Sequence, residues 1–499
     1  MVATAIRLFQ RVPYWPMNLL SAAVAGCATP NPRSCGDGAC TDPQYPFCDV
    51  DGVFGGVKNE CITVVCTAGE LAGCREDAEV RCNASGANYD VTSCQLGCAL
   101  ASDGCKLCEP NQTACTNGMV VSCDANGIPS VAESCPLGCF EAEARCVDVK
   151  PSNHLATFLD SSANEDDLIL ENVTIDTTSG QLRDSATGAV LPTRLSGLVP
   201  APLGMEGAAI RVFVADYVSL NNVRVRGEPA LAIVANGEVF INGTFSLWND
   251  DDSAPMPGAV LFPSCMGIEG QTFTVSPQQF AAAGSGGGGH ATPGKRGGDV
   301  GTIANSSRYA AGGAGGGASG SATLEPLRGG CGGGGAVQVT SRKRIKLGPS
   351  AIIDANGRFG FYQLGGPSSY GGGTAGGGIL LEAPEVVLET QSRLLVNGGP
   401  GSSSGFAPVS LDGTASPGAT CTSSSTYLCS NGGNGASRYG PATDGGNVPY
   451  QTGPSNFYAG GGGGGLGYIR INTRPGGGYI KAPDTIESGV VSEAQILTR

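Results

Sequence analysis

Histidine is almost missing from this chain of 499 residues, which carries only His154 and His290. No spacing assembles an acid–base pair around either of them, so imidazole-driven chemistry has little material to work with. Charge is scarce as well: Asp, Glu, Lys and Arg make up 14%, against roughly a quarter in ordinary globular chains. The charge that is present sums to -14, which argues against nucleic acid as a partner. Beyond the N-terminal region no run reaches about 18 apolar residues, so no later segment reads as a membrane-spanning helix. A phosphate loop is missing too, because Gly294-Lys295-Arg296 lacks the hydroxyl residue that completes it. No Gly-x-Ser-x-Gly falls on a strand–turn–helix, which removes the usual serine-hydrolase signature. Glycine is abundant, yet the Gly-X-Y period of collagen is absent.

What the chain does have is glycine, 81 residues of it, and cysteine, 21 residues. Seventeen cysteines precede Lys150, and so dense a cluster points to an oxidising compartment. Apart from Cys27, they fall into three groups: Cys35, Cys40, Cys48 and Cys61; then Cys66, Cys74, Cys82, Cys94, Cys98 and Cys105; then Cys108, Cys115, Cys123, Cys135, Cys139 and Cys146. The second group is spaced by 7, 7, 11, 3 and 6 residues and the third by 6, 7, 11, 3 and 6. Five nearly equal gaps mark a tandem duplication. Zinc would need paired CxxC motifs or nearby histidines. Only Cys105 and Cys108 have that spacing, across a repeat boundary. All sixteen are therefore expected in disulfides closed within their modules, since modules of about 40 residues bury too little core to stand alone. Six cysteines allow fifteen connectivities, and the sequence does not choose among them.

Past the boundary at Lys150-Pro151-Ser152-Asn153 the texture becomes strand and turn. Ile210, Val212 and Val214 alternate with other residues, as do Val218 and Leu220, then Val239 and Ile241. A three-part pattern occurs twice between Gly332 and Gly399. Ala-Val-Gln-Val, Arg-Ile-Lys-Leu and Ala-Ile-Ile-Asp-Ala-Asn-Gly are answered by Gly-Ile-Leu-Leu, Glu-Val-Val-Leu and Arg-Leu-Leu-Val-Asn-Gly-Gly, with Val337 and Ile379 starting copies 42 residues apart. A recurring three-strand unit predicts a solenoid coil. Val218, Leu220, Val239, Ile241, Ile345 and Leu347 should then share one core, with Arg344 and Lys346 outside. The Asn236-Gly237 and Asn242-Gly243 pairs would also suit hairpins, which keeps a sandwich or propeller as the alternative.

Glycine-rich insertions interrupt these units, from Trp248 to Gly335, Gly365 to Gly378 and Gly398 to Asn456, the last running into Gly460 to Gly465. They read either as flexible loops or as extended runs packed on one another, since only glycine allows such close backbone approach. Cys265, Cys331, Cys421 and Cys429 lie inside them, an even number that favours two further disulfides and some order. Asp250, Asp251 and Asp252 form the one conspicuous acidic run. It reads as a solvated turn or as a calcium site of hard oxygen ligands. No other cofactor or metal is expected.

The N-terminus has basic residues Arg7 and Arg11, an apolar run from Met17 to Ala25 and the ending Val24-Ala25-Gly26-Cys27. A basic start followed by an apolar core is the physical form of an export signal. The Ala-Gly-Cys ending resembles a bacterial lipoprotein signal, which implies that Cys27 is lipidated, and Ala28 in place of Asp implies the outer membrane. With the cysteine repeats and glycine-interrupted strands, the chain resembles cysteine-rich, glycine-rich surface lipoproteins of myxobacterium-like bacteria. Its C-terminal part is similar to right-handed parallel β-helices of the pectin-lyase-like class. The resulting plan is a signal over 1–26, a tether over 27–34, disulfide modules over 35–65, 66–107 and 108–149, and an all-β, β-helical domain over 150–499.

That resemblance brings an enzyme hypothesis, since pectin-degrading relatives use clustered aspartates, Gly-His-Gly and Arg-Ile-Lys. Here Asp250 to Asp252, Gly289-His290 and Arg344-Ile345-Lys346 occur in that order, but Ala291 follows the histidine and the aspartates are consecutive. Neighbouring strand residues face opposite ways, so one run places two carboxylates poorly for acid–base hydrolysis. The expected role is a non-catalytic, lipid-anchored protein of the cell surface with a structural, adhesive or polysaccharide-binding role. A polysaccharide-active enzyme and a module that binds another surface protein are the alternatives.

Overall fold

The computed structural model describes residues 34–499 apart from 36–39, 46, 50–56, 64–65, 85–88, 100–103, 107–108, 126, 163–164, 193–195, 201–208, 248–255, 260–268, 270, 277–278, 284, 302–313, 315–332, 360–370, 403–413, 424–426 and 450–455. Almost every described element is a strand; the one α-helix is Ala156–Ser161. Among the described residues no helix is long and apolar enough to cross a membrane. The chain divides into two compact units, one made of Met1–Ala114 with Val121–Ala132, the other of Cys115–Val120 with Glu133–Arg499.

The first unit is held by covalent bridges. Cys35 is joined to Cys48, Cys40 to Cys61, Cys66 to Cys82, Cys74 to Cys98 and Cys94 to Cys105. Its strands are short antiparallel pairs, such as Phe47–Asp49 with Glu60–Ile62 and Ala78–Cys82 with both Leu71–Arg75 and Tyr89–Ser93. Among its described residues cysteine dominates the buried hydrophobics: Cys35, Cys61, Cys82, Cys94 and Cys123 with Val80 and Val121. Disulfides thus substitute for an apolar interior. Further on, Cys115–Cys139 and Cys135–Cys146 repeat the second-to-fifth and fourth-to-sixth pattern of the preceding module. Cys123 is also disulfide-bonded. Cys108, like Cys27, Cys265 and Cys331, lies outside the described residues.

The second unit is built on three parallel ladders. In the first, Ile210–Ala215, Ala230–Ala235, Ala336–Ser341, Gly378–Glu382, Tyr468–Thr473 and Val490–Gln495 stack in sequence order. In the second, Leu168–Asp176, Val218–Arg226, Val239–Leu247, Arg344–Leu347, Glu385–Leu388 and Tyr479–Lys481 do the same. A third, of Ile352–Asp354, Arg393–Leu395 and Ile486–Ser488, starts on the second half of Val239–Leu247. The duplicated motif stacks on itself, Val337 opposite Ile379 and Ile345 opposite Val386. Val218 faces Val239 in parallel, so the strands around Asn236-Gly237 do not form a hairpin. At the N-terminal edge, antiparallel strands Gln181–Asp184 and Ser196–Val199 close the second and first ladders.

Side chains from all three ladders fill one interior. Val218, Leu220, Val239, Ile241, Ile345 and Leu347 belong to it, together with Val337, Ile353, Ile379, Val386, Leu394 and Ile469. Left-handed backbone recurs inside the long second-ladder strands at Asn172 and Asn222, and in the turns between second- and third-ladder strands at Ser350 and Gln391. The Asn222 Nδ2 donates to the Asn172 Oδ1 of the adjacent strand at 3.3 Å, so asparagine both tolerates the backbone and ties one strand to the next. The outer face of the first ladder is buried too, under Val149, Leu155, Leu159 and Ile496. That cover explains why Ala230–Ala235 is buried at all six positions and reads as a continuous apolar run.

Candidate functional site

The described parts of the glycine-rich insertions form a packed bundle beside the ladders. Gly460 to Gly465 runs through its centre, and its six amides donate in turn to Gly446, Ser402, Ser285, Thr443, Gly399 and Gly288 carbonyls. Its six carbonyls accept in turn from the amides of Gly298, Gly433, Gly373, Lys295, Ala436 and Gly376. Partners three residues apart therefore fall on the same neighbour, and six extended segments surround one. A three-residue repeat without internal hydrogen bonds is the geometry of a polyproline-II-type helix. Every polar backbone group of the central segment is satisfied by this arrangement. Close approach requires glycine: a Cβ on Gly463 would lie 1.9 Å from the Asn434 carbonyl oxygen, and one on Gly464 2.0 Å from that of Thr374. These described runs are thus extended and packed, the second of the two readings their composition allowed.

The bundle continues into a small sheet. Gln279–Ala282 and Tyr427–Cys429 pair in parallel with Asn456–Tyr458. Ala281, Ala283, Val300, Val448, Phe457 and Ala459 form its interior, and a disulfide joins Cys421 to Cys429.

A groove of about 460 Å³ opens where the bundle meets the third ladder, with Pro293, Lys295, Arg438, Tyr439, Pro441 and Leu466 among its walls. A tight turn makes one side, with Ser437 and Gly440 exchanging backbone hydrogen bonds of 2.9 and 3.2 Å. The Arg438 amide donates to the Ser488 Oγ at 3.2 Å, and Ser488 in turn donates to the Oδ1 of Asn397. The Asn397 amide donates to Asn356 Oδ1 at 2.7 Å. A stack of polar side chains along the third ladder therefore anchors the turn. On the other side the Lys295 amide donates to the Gly463 carbonyl at 2.9 Å, and the Leu466 amide to Thr292 Oγ1 at 2.8 Å. Tyr439 stays 65% exposed on this rigid base. The Arg438 guanidinium sits 4.5 Å from its ring centre, a cation–π contact. Neither Lys295 nor Arg438 has a carboxylate partner among the described residues.

The residues singled out by sequence fall elsewhere. Asp250, Asp251 and Asp252 lie outside the described residues. His290 is 1% exposed and packs edge-on against Tyr468 at 5.3 Å between ring centres, which makes it part of the bundle's base. Arg344 reaches Glu238 at 2.7 Å and Glu385 at 3.6 Å, while Lys346 reaches Glu389 at 2.8 Å. These are ion pairs between adjacent strands on the outside of the second ladder. Among the described residues two groups have the side-chain types of a metal site, Cys35 with Cys40 and Cys61, and Glu79 with Cys94 and Cys105. Their sulfurs are bridged, and a disulfide offers no thiolate to a metal.

Among the described residues of the second unit, two carboxyls are buried, Asp354 and Glu382. Glu382 accepts from the Ser152 amide and hydroxyl at 3.1 and 2.7 Å, from Gln338 at 2.8 Å, Asn472 at 3.0 Å and Thr340 at 3.3 Å. Burial pushes its carboxyl above the usual range, and those donors pull the other way. The network fastens the segment after the cysteine modules onto the first ladder. Asp354 is raised by burial as well, against the opposing charge of Arg358, and it accepts from the Asn356 amide at 3.0 Å. Nothing in composition or spacing distinguished either carboxyl, nor the groove, because each depends on residues far apart in the chain. No known protein family, curated protein or solved structure matches this chain.

Proposed function

We propose that this is a non-catalytic protein of the bacterial outer surface, anchored through a lipid on Cys27, that binds polysaccharide. In this reading the three ladders are the faces of a right-handed parallel β-helix of the pectin-lyase-like kind, and the cysteine modules are braced by their disulfides. The observation that carries it is the packed glycine bundle, which holds an exposed tyrosine and two cations on a fixed base. An aromatic face beside polar groups is suited to a sugar ring, and a rigid support reduces the entropy lost on binding. The buried Glu382 fits a structural role, since it is enclosed in five hydrogen bonds from Ser152, Gln338, Thr340 and Asn472, none of which lines that groove.

The test is a pulldown of the full chain on a panel of surface polysaccharides, with release of reducing ends followed in parallel. Binding without new reducing ends supports the proposal. New ends that disappear when Asp250, Asp251 and Asp252 are all changed to Ala would establish the polysaccharide-active enzyme instead. Mass spectrometry of the mature N-terminus tests the anchor, and an unmodified Cys27 would remove it.

A further inference from the structure

We propose that the groove at Tyr439 binds an anionic sugar unit, a pyranose bearing a carboxylate or a sulfate. This rests on the polysaccharide-binding reading and names the chemistry of the ligand. In a chain whose net charge is -14, most cations on the ladders are neutralised: Arg344, Lys346 and Arg342 all sit within ion-pair distance of acids. Lys295 and Arg438 differ, for both line one groove and neither meets a carboxylate among the described residues. Two uncompensated positive groups on one concavity favour an anion and disfavour a cation.

The walls between those charges specify more than an anion. Arg438 lies over one face of the Tyr439 ring and its Nη2 donates to the Tyr439 hydroxyl, yet Tyr439 remains 65% exposed. The C–H face of a pyranose fits such an apolar plate, and Pro293, Pro441 and Leu466 extend it. A ring seated there brings an acidic substituent to Arg438, whose planar guanidinium suits carboxylate and sulfate oxygens alike. Lys295 supplies a second, more mobile contact. The bundle fixes the spacing, because the backbones of Lys295 and of Ala436, two residues before Arg438, both donate into its hydrogen-bonded frame, at Gly463 and Gly464.

The experiment is calorimetric titration of the full chain with four polymers: alginate, dextran sulfate, unmodified dextran and poly-glutamate. The expected result is binding of alginate or dextran sulfate, with dextran and poly-glutamate at least tenfold weaker, and weakening with added salt. Alginate alone would identify the carboxylate and dextran sulfate alone the sulfate. Tyr439→Ala should lose tenfold or more in affinity while Tyr439→Phe stays within about threefold of wild type. The Lys295→Ala, Arg438→Ala double variant should lose the preference for the charged polymers. Thermal unfolding of each variant checks that the fold persists. Dextran bound as tightly as the acidic polymers would overturn the anionic assignment and leave the polysaccharide reading standing. Poly-glutamate bound as tightly as alginate, or Tyr439→Ala without effect, would reduce the groove to a patch of cations. Binding of no polymer at all would overturn both readings.

Discussion

At Gly464 a single methyl group decides whether the bundle can close. An alanine there must place its Cβ 2.0 Å from the Thr374 carbonyl oxygen, and neither backbone can yield without breaking the hydrogen bonds on either side. At Gly440, by contrast, an added Cβ meets nothing within 4 Å. Gly464→Ala is therefore expected to lower stability by about 3 kcal/mol or more, and Gly440→Ala by less than about 1 kcal/mol. Chemical denaturation of the two variants checks this, and equal losses would remove the packing argument. Glu382 supplies a second residue-scale prediction. Its carboxyl is raised in the folded chain, chiefly by burial, so the folded state holds its proton more tightly than the unfolded state does. The associated stability is fully present below the ordinary glutamate range and declines as pH rises through the raised value. Glu382→Gln places an amide N–H₂ against five donors and should cost about 1–3 kcal/mol. The deficit relative to wild type should be largest in acid and shrink as pH rises through the raised value of Glu382. A deficit that grows with pH would contradict the assignment.

At the scale of elements, the ladders were legible wherever one face of a strand is wet. Ile345 and Leu347 alternate with Arg344 and Lys346, and the strand is buried and half-exposed in the same order. The spacing of the two motif copies likewise matched the stacking of Val337 on Ile379. Reading stopped where tertiary cover intervened. Gln338, Thr340 and Glu382 look like outward polar positions, yet the segment from Val149 to Leu159 covers them and they are fully buried. Local periodicity carries no information about a cover that arrives from nearly 200 residues away. The glycine runs were opaque for a related reason: their order comes from six neighbours, while composition alone fits a linker equally well. The register gives a direct test. Ile345→Asp puts an unpaired charge in the interior and should cost more than about 4 kcal/mol. Arg344→Ser removes partly exposed ion pairs and should cost less than about 1 kcal/mol. Similar shifts of thermal unfolding for both would mean the strand faces the other way.

For the whole molecule, ladders, bundle and groove make one argument. The ladders provide a stable interior, the polar stack from Asn356 through Asn397 and Ser488 carries it to the turn at Arg438, and the bundle holds the opposite wall. If the glycine segments were linkers, Lys295 and Tyr439 would have no fixed relation and the groove would not exist. Hydrogen exchange at the amides of Gly460 to Gly465 in the full chain tests this most directly. Each donates to a different surrounding carbonyl, so exchange should be slowed about a thousandfold or more, an opening free energy of about 4 kcal/mol or above, comparable to the amides of Ala230–Ala235. Exchange at the rate of an unstructured glycine peptide would contradict the bundle, and with it the site it is proposed to hold.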